Sequence, residues 1–149
     1  FFIQRMDAII ESLFRQRPLR QDKIYNLVEM GNLRVQGPPL SLQGNGVIIG
    51  FIDTGIRYDL DVFKNESGGS RILSIWDQTI QEGTPPAGFL YGTEYTREDI
   101  ERAMQSPEPL SVVPSTDENG HGTAMASAAA GSVLDEGLTF RGAAPQASL

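Results

Sequence analysis

The sequence contains no cysteine, so it can form neither disulfides nor thiolate metal sites. It is also poor in basic residues, with 12 Lys and Arg against 19 Asp and Glu and a net charge of −7. This balance lacks the basic face that neutralises phosphates, and we therefore expect no nucleic-acid partner. No apolar run approaches the roughly 18 to 20 residues of a membrane span, so we expect no transmembrane segment.

The composition that is present is that of a globular protein. Hydrophobic residues make up 40% and charged residues 21% of the 149 positions. The chain starts with Phe1 and ends on the apolar stretch "APQASL", and we expect both ends to be cuts within a longer protein. Apolar spacing predicts one helix over residues 6–14 and a second over residues 22–31, and the Pro- and Gly-rich residues 36–46 read as a loop.

The strongest strand signal is "GVIIGFID", residues 46–53. It lacks polar alternation and is rich in β-branched residues, which predicts a parallel strand buried on both faces. Gly50 within it suggests that a neighbouring backbone or helix approaches closely. Asp53 then falls just past the carboxyl end of the strand, where open α/β sheets place ligands and catalytic groups.

Residues 64–118 give mixed signals. A strand is predicted over residues 71–79, and a helix is predicted with Thr96 as N-cap, Asp99 at the N3 position and an end before Pro107. Trp76 lies in the predicted strand. An aromatic residue there usually belongs to the core, and contact with a substrate is the alternative.

The stretch "DENGHGTAMASAAAG", residues 117–131, contains the only histidine, His121. A turn rich in Asp, Asn and Gly leads to His121, and the small residues that follow favour a helix that can lie close against a sheet. Residues 140–149 read as a turn and a further strand. The order of strand, excursion, helix and strand is typical of an α/β domain.

Two protease chemistries place an aspartate where Asp53 stands. In the first, two Asp-Thr-Gly loops share a proton, but this motif occurs once here and such proteins are all-β. In the second, aspartate orients a histidine that takes a proton from a serine. Asp53 precedes His121 by 68 residues, and small residues flank both, which favours the second chemistry.

Three motifs in this order resemble the subtilisin-like serine protease family: "GVIIGFIDTGI", "NGHGTAMASAAAG" and "GAAPQASL". The stretches "RILSIWDQTI" and "VPSTDENGHGT" are similar to the clostridial Csp germination-protease branch. The resemblance implies that Asp53 is the triad aspartate and His121 the general base, acting on protein or peptide substrates without a cofactor. It also suggests a secreted or spore-associated location.

The resemblance implies an α/β, subtilisin-like parallel-sheet fold of which only the N-terminal portion is present. Residues 1–45 would form a helical arm or the end of a propeptide, and residues 46–149 part of the catalytic domain, with an insertion over about residues 64–118. The family's Gly-Thr-Ser-x-Ala nucleophile motif does not occur. We therefore expect the fragment alone to be inactive and to need the remainder of its own catalytic domain.

Structural calcium is found in some members of the family, but the sequence does not support such a site here. Val62 stands where those members carry an acidic residue, and the stretch after the histidine helix, residues 132–140, is not Asn-rich. An alternative to proteolysis also stays open. A non-catalytic relative with the same fold could bind partner proteins or small signals.

Overall fold

The computed structural model describes residues 36–132 and 141–149. The helices predicted over residues 6–14 and 22–31 lie outside this range. Within the described residues, no helix is long and apolar enough to span a bilayer. The regular elements are, in chain order, a 3-10 helix at Asp61–Phe63, strands β1 (Ser74–Asp77) and β2 (Thr93–Thr96), and helices α1 (Arg97–Met104), α2 (Pro109–Val112) and α3 (His121–Ala130).

The apolar segment before Asp53 runs parallel to the end of the described chain. Ile48 forms a parallel bridge with Ser148, and the N–H of Ile49 donates to the Ser148 carbonyl at 2.9 Å. The parallel direction is therefore confirmed at this isolated bridge. The described residues 46–53 and 141–149 form no regular strand, contrary to the two strands predicted there. The prediction that both faces of this segment are buried is wrong for the described residues. Ile49 and Phe51 pack on the core, while Ile48 is 69% and Ile52 90% exposed.

The expected close approach at Gly50 is also not found. A Cβ placed on Gly50 would meet no atom within 4 Å in the part of the chain that the structure describes. Successive side chains of an extended chain point to opposite faces, and Gly50 lies on the same exposed face as Ile48 and Ile52. A uniformly apolar segment indicates that both of its faces favour burial. It does not indicate which residues of the protein cover each face.

Residues 71–96 contain a two-stranded antiparallel hairpin. β1 pairs with β2 from Ser74 opposite Thr96 to Asp77 opposite Thr93. The strand predicted over residues 71–79 is confirmed at its centre. β2 was not predicted, because "TEYT" is only four residues long, three of them polar, and gives little strand signal by itself.

Trp76 lies outside the buried core, contrary to the core interpretation of this residue. Its ring contacts those of Phe89 and Tyr91, with centroid separations of 4.3 and 5.1 Å. Its indole N–H donates to the Tyr91 carbonyl at 3.2 Å. These three rings, with Leu90 beside them at 98% exposed, form a partly exposed aromatic cluster on the hairpin.

Helix α1 follows the hairpin directly and has the predicted cap. The Thr96 hydroxyl accepts from the N–H of Asp99, and the Asp99 carboxylate accepts from the N–H of Thr96, which is a complete capping box. Ile100 and Ala103 are both fully buried. They attach this charged helix to the core.

The core joins residues that are widely separated in the described chain, from Tyr58 to Leu149. Its members are Tyr58, Phe63, Ile72, Ile100, Ala103, Val113, Ala126, Ala130, Ala147 and Leu149. Arg71 crosses it with a side chain that donates to the carbonyls of Val62, Ala130 and Ala147. The buried guanidinium thus ties the 3-10 helix, the end of α3 and residue Ala147 near the end of the described chain to one another.

Candidate active site

Asp53 and His121 lie in contact. The Asp53 carboxylate oxygen Oδ1 is 2.8 Å from His121 Nδ1. The Asp53 side chain is only 15% exposed, whereas that of His121 is 54% exposed. A carboxylate at this position favours the tautomer with the proton on Nδ1, in which Nε2 carries the lone pair and can accept a proton.

The charge of Asp53 follows from its surroundings. Burial acts to raise its pKa, but the hydrogen bonds from His121 and from the N–H of Thr54 outweigh burial and hold the pKa below the usual value. The carboxylate is therefore ionised at neutral pH. An anion beside Nδ1 stabilises an imidazolium when Nε2 takes a proton.

Two glycines allow the segment around Asp53 to lie against the start of α3. Gly122 is the second residue of α3, and a Cβ on it would stand 2.2 Å from the carbonyl oxygen of Gly55. Gly55 itself has φ +133°, and a Cβ there would stand 2.5 Å from the Thr116 carbonyl oxygen. Neither position has room for a side chain, so the small residues that flank the predicted site are a steric requirement of its packing.

Helix α3 begins at His121, as predicted, but its N-terminus is capped by distant side chains. The N-cap residue, Gly120, has no side chain to offer. The N–H of Gly122 donates to the Thr54 hydroxyl at 3.0 Å, and the N–H of Thr123 donates to the Asp117 carboxylate at 2.9 Å. Two orphan N–H groups of the first turn are thus satisfied from outside the helix.

The small residues of α3 allow neighbouring backbone to lie close, although the segments that approach the helix are not strands of a sheet. Gly122, Ala126 and Ala130 are buried and recur every four residues, so they form one stripe along the helix. At the other end, the N–H of Ala144 donates to the Ala129 carbonyl at 2.7 Å. A Cβ on Gly142 would stand 2.8 Å from the Ala130 nitrogen, so the returning chain can lie this close only as glycine.

Asp117 is the residue of this site that the sequence analysis missed. It was interpreted only as part of a turn, yet it is 6% exposed and bonds both Thr54 and Thr123. The available signal was an acidic residue a few positions before a helix whose N-cap is glycine. An anion in that position suits the positive end of the helix dipole.

Arg57, just after the Asp53 turn, pairs with Asp59. Its Nε and Nη2 donate to the two carboxylate oxygens at 2.9 and 2.8 Å. The side chains are 46% and 28% exposed, and solvent screening leaves a pair this exposed with little effect on stability. It is a solvated surface pair.

The residues that are present do not fit the family's calcium site. Val62 offers only its carbonyl, which already accepts from the Arg71 guanidinium and from the N–H of Ser132. A metal ion at this carbonyl would face the positive charge of Arg71. Among the described residues, no three His, Cys, Asp or Glu side chains are grouped as a metal site.

Comparisons with known proteins agree with this geometry. The sequence profile described as the Subtilase family matches residues 44–149. The chain is similar to the solved structure of the Clostridium perfringens CspB protease, with 30% identity and a TM-score of 0.65. That similarity covers 79% of this chain and 24% of CspB, so the chain spans about a quarter of the length of that structure. No curated protein matches the chain.

Proposed function

The chain belongs to the subtilase family, and we propose that the protein it forms part of is a serine endopeptidase in which Asp53 and His121 supply two of the three triad residues. The family and the similar CspB structure are those of proteases, and the resemblance to the Csp branch is confirmed by that similarity. The observation that carries the proposal is the 2.8 Å contact between Asp53 Oδ1 and His121 Nδ1. It joins two residues that are 68 positions apart in the chain.

The chemistry proceeds in two halves. A serine downstream of residue 149 attacks the peptide carbonyl, and His121 Nε2 takes the proton of its hydroxyl. His121 then gives this proton to the leaving amine, which leaves an acyl-enzyme, and a water molecule activated by the same nitrogen releases the acid. Asp53 keeps the ring oriented and stabilises its charged form in both halves.

The division of the chain follows from the same proposal. Residues 46–149 are the N-terminal part of the catalytic domain, with residues 64–118 inserted between the Asp53 strand and the His121 helix. Residues 1–45 are an arm or the end of a propeptide. Because the 149 residues contain no Gly-Thr-Ser-x-Ala motif, the fragment alone has no nucleophile and is inactive.

Fluorophosphonate labelling of the full-length protein tests the proposal. A fluorophosphonate reacts with a serine that its histidine activates, and peptide mapping then locates the modified residue. We expect labelling at one serine beyond residue 149, lost in a His121→Ala variant that remains folded. A folded full-length protein that takes up no label would overturn the protease proposal and favour a non-catalytic relative.

A further inference from the structure

Asp117 is surrounded by hydrogen-bond donors. Its Oδ1 accepts from the Thr54 hydroxyl at 2.8 Å and from the N–H of Gly120 at 2.9 Å. Its Oδ2 accepts from the N–H of Thr123 at 2.9 Å and from the Thr123 hydroxyl at 2.7 Å. All four donors are neutral, so this nearly buried carboxylate is held by hydrogen bonds rather than by an ion pair.

The hydroxyls of Thr54 and Thr123 each accept a second hydrogen bond, and these bonds join the Asp53 turn to α3. The Thr54 hydroxyl, which donates to Asp117, accepts from the N–H of Gly122 on α3. The Thr123 hydroxyl, which also donates to Asp117, accepts from the N–H of Arg57 just after the Asp53 turn. One bond runs from helix to turn and the other from turn to helix, and both hydroxyls are oriented by the same carboxylate.

The ionised form of Asp117 is the form that this arrangement requires. Burial acts to raise its pKa, but the hydrogen bonds from Thr123, Gly120 and Thr54 outweigh burial and hold the pKa well below the usual range. Only a carboxylate offers two oxygens that both accept without donating. An Asn would turn its NH₂ group toward two donors in either orientation of the amide.

We propose that Asp117 is a positioning residue: its carboxylate holds the Asp53 turn and the His121 helix at the separation that the contact between Asp53 and His121 requires. This proposal rests on the proposed function of the same site. Thr54 is the neighbour of Asp53 in the chain, and Thr123 lies two residues after His121. A carboxylate that binds both therefore fixes the two catalytic motifs to one point.

The test compares variants of the full-length protein. Asp117→Asn and Thr54→Val remove the clamp, whereas Thr54→Ser retains its hydroxyl and Glu118→Gln removes an exposed neighbouring charge. We expect kcat and the rate of fluorophosphonate labelling to fall on the order of 10²-fold for the first two variants, because a misplacement of about 1 Å costs that much. KM should stay within about twofold, since no group that binds substrate is changed. Thr54→Ser and Glu118→Gln should retain wild-type kcat.

Crystal structures of the same variants provide a readout that does not depend on activity. We expect the Asp53 to His121 contact to lengthen beyond hydrogen-bonding distance in Asp117→Asn and Thr54→Val and to be preserved in Thr54→Ser. An unchanged contact together with wild-type kcat would overturn the positioning role. If the wild type takes up no label, the proposed function fails, and the structures alone then decide whether Asp117 positions the pair. If Asp117→Asn does not fold, the Thr54→Val and Thr54→Ser pair carries the test.

Discussion

Replacement of Gly122 by alanine should separate the two halves of the site by a distance that the structure specifies. A Cβ on Gly122 would lie 2.2 Å from the Gly55 carbonyl oxygen, and ordinary van der Waals contact begins at 3.4 Å. The helix and the turn must therefore move apart by about 1.2 Å. The Asp53 to His121 distance is 2.8 Å, so an increase of this size breaks the hydrogen bond.

The expected cost is larger for catalysis than for folding. Overpacking of this kind costs about 1–3 kcal/mol in the free energy of unfolding. A misplacement of about 1 Å between catalytic groups reduces the rate on the order of 10²-fold. Cleavage of a chromogenic peptide by full-length Gly122→Ala, with the concentration of folded protein measured by circular dichroism, should show this loss in kcat with KM little changed.

Gly68→Ala provides the matched control. Gly68 has φ +84°, and a Cβ there meets nothing within 4 Å among the described residues, so alanine costs about 1–2 kcal/mol of backbone strain without displacing the site. Its kcat should equal that of the wild type. If folded Gly122→Ala also had wild-type kcat, the conclusion that close packing of the Asp53 turn on α3 sets the catalytic geometry would be wrong.

Two further predictions concern stability. Arg71→Met takes away the donors that the carbonyls of Ala130 and Ala147 have; an unpaired buried carbonyl costs about 1–3 kcal/mol. Because relief of the buried guanidinium charge offsets part of this, the free energy of unfolding should fall by about 2–4 kcal/mol in urea titrations, and an unchanged midpoint would contradict the bracing role of Arg71. The second prediction concerns pH. Because the pKa of Asp117 is lowered in the folded protein, its carboxylate stabilises the fold at pH values above the unfolded-state pKa of about 3.9. This contribution is lost as the pH falls. Between about pH 5 and pH 2 the wild type should therefore lose more stability than Asp117→Asn, and parallel losses in the two proteins would refute this.

The pairing of Asp53 with His121 could be predicted from the resemblance to the subtilisin-like family, because each residue sits in a local motif that the family shares. An apolar strand that ends in Asp-Thr-Gly places the aspartate at a strand end, and a glycine-flanked histidine before small residues places the other side chain at a helix start. The capping box of α1 was predictable for the same reason. Its two partners, Thr96 and Asp99, are three residues apart and depend on nothing else in the chain.

The features that escaped prediction depend on contacts between distant segments. The hydrogen bond from Thr54 to Asp117 joins residues 63 positions apart, so no local sequence pattern predicts it. The exposure of Ile48 and Ile52 could not be predicted, because it depends on which other residues cover this segment and not on the segment's own sequence. The strand β2 has a weak local signal and exists because β1 provides its hydrogen-bond partners.

The return path of residues 64–118 also ties this excursion to the site. Val113, Ser115 and Asp117 are 0%, 2% and 6% exposed, whereas the residues between them are more exposed, which is the alternation of an extended segment. Val113 belongs to the core, and the Ser115 hydroxyl donates to Asp77 at the end of β1. Asp117 accepts a hydrogen bond from the hydroxyl of Thr54, the residue after Asp53. Each buried position thus fixes the segment to a different partner. A displacement of the hairpin would act on Asp117 through two residues of extended backbone, so residues 64–118 are part of the framework that holds Asp53 against His121.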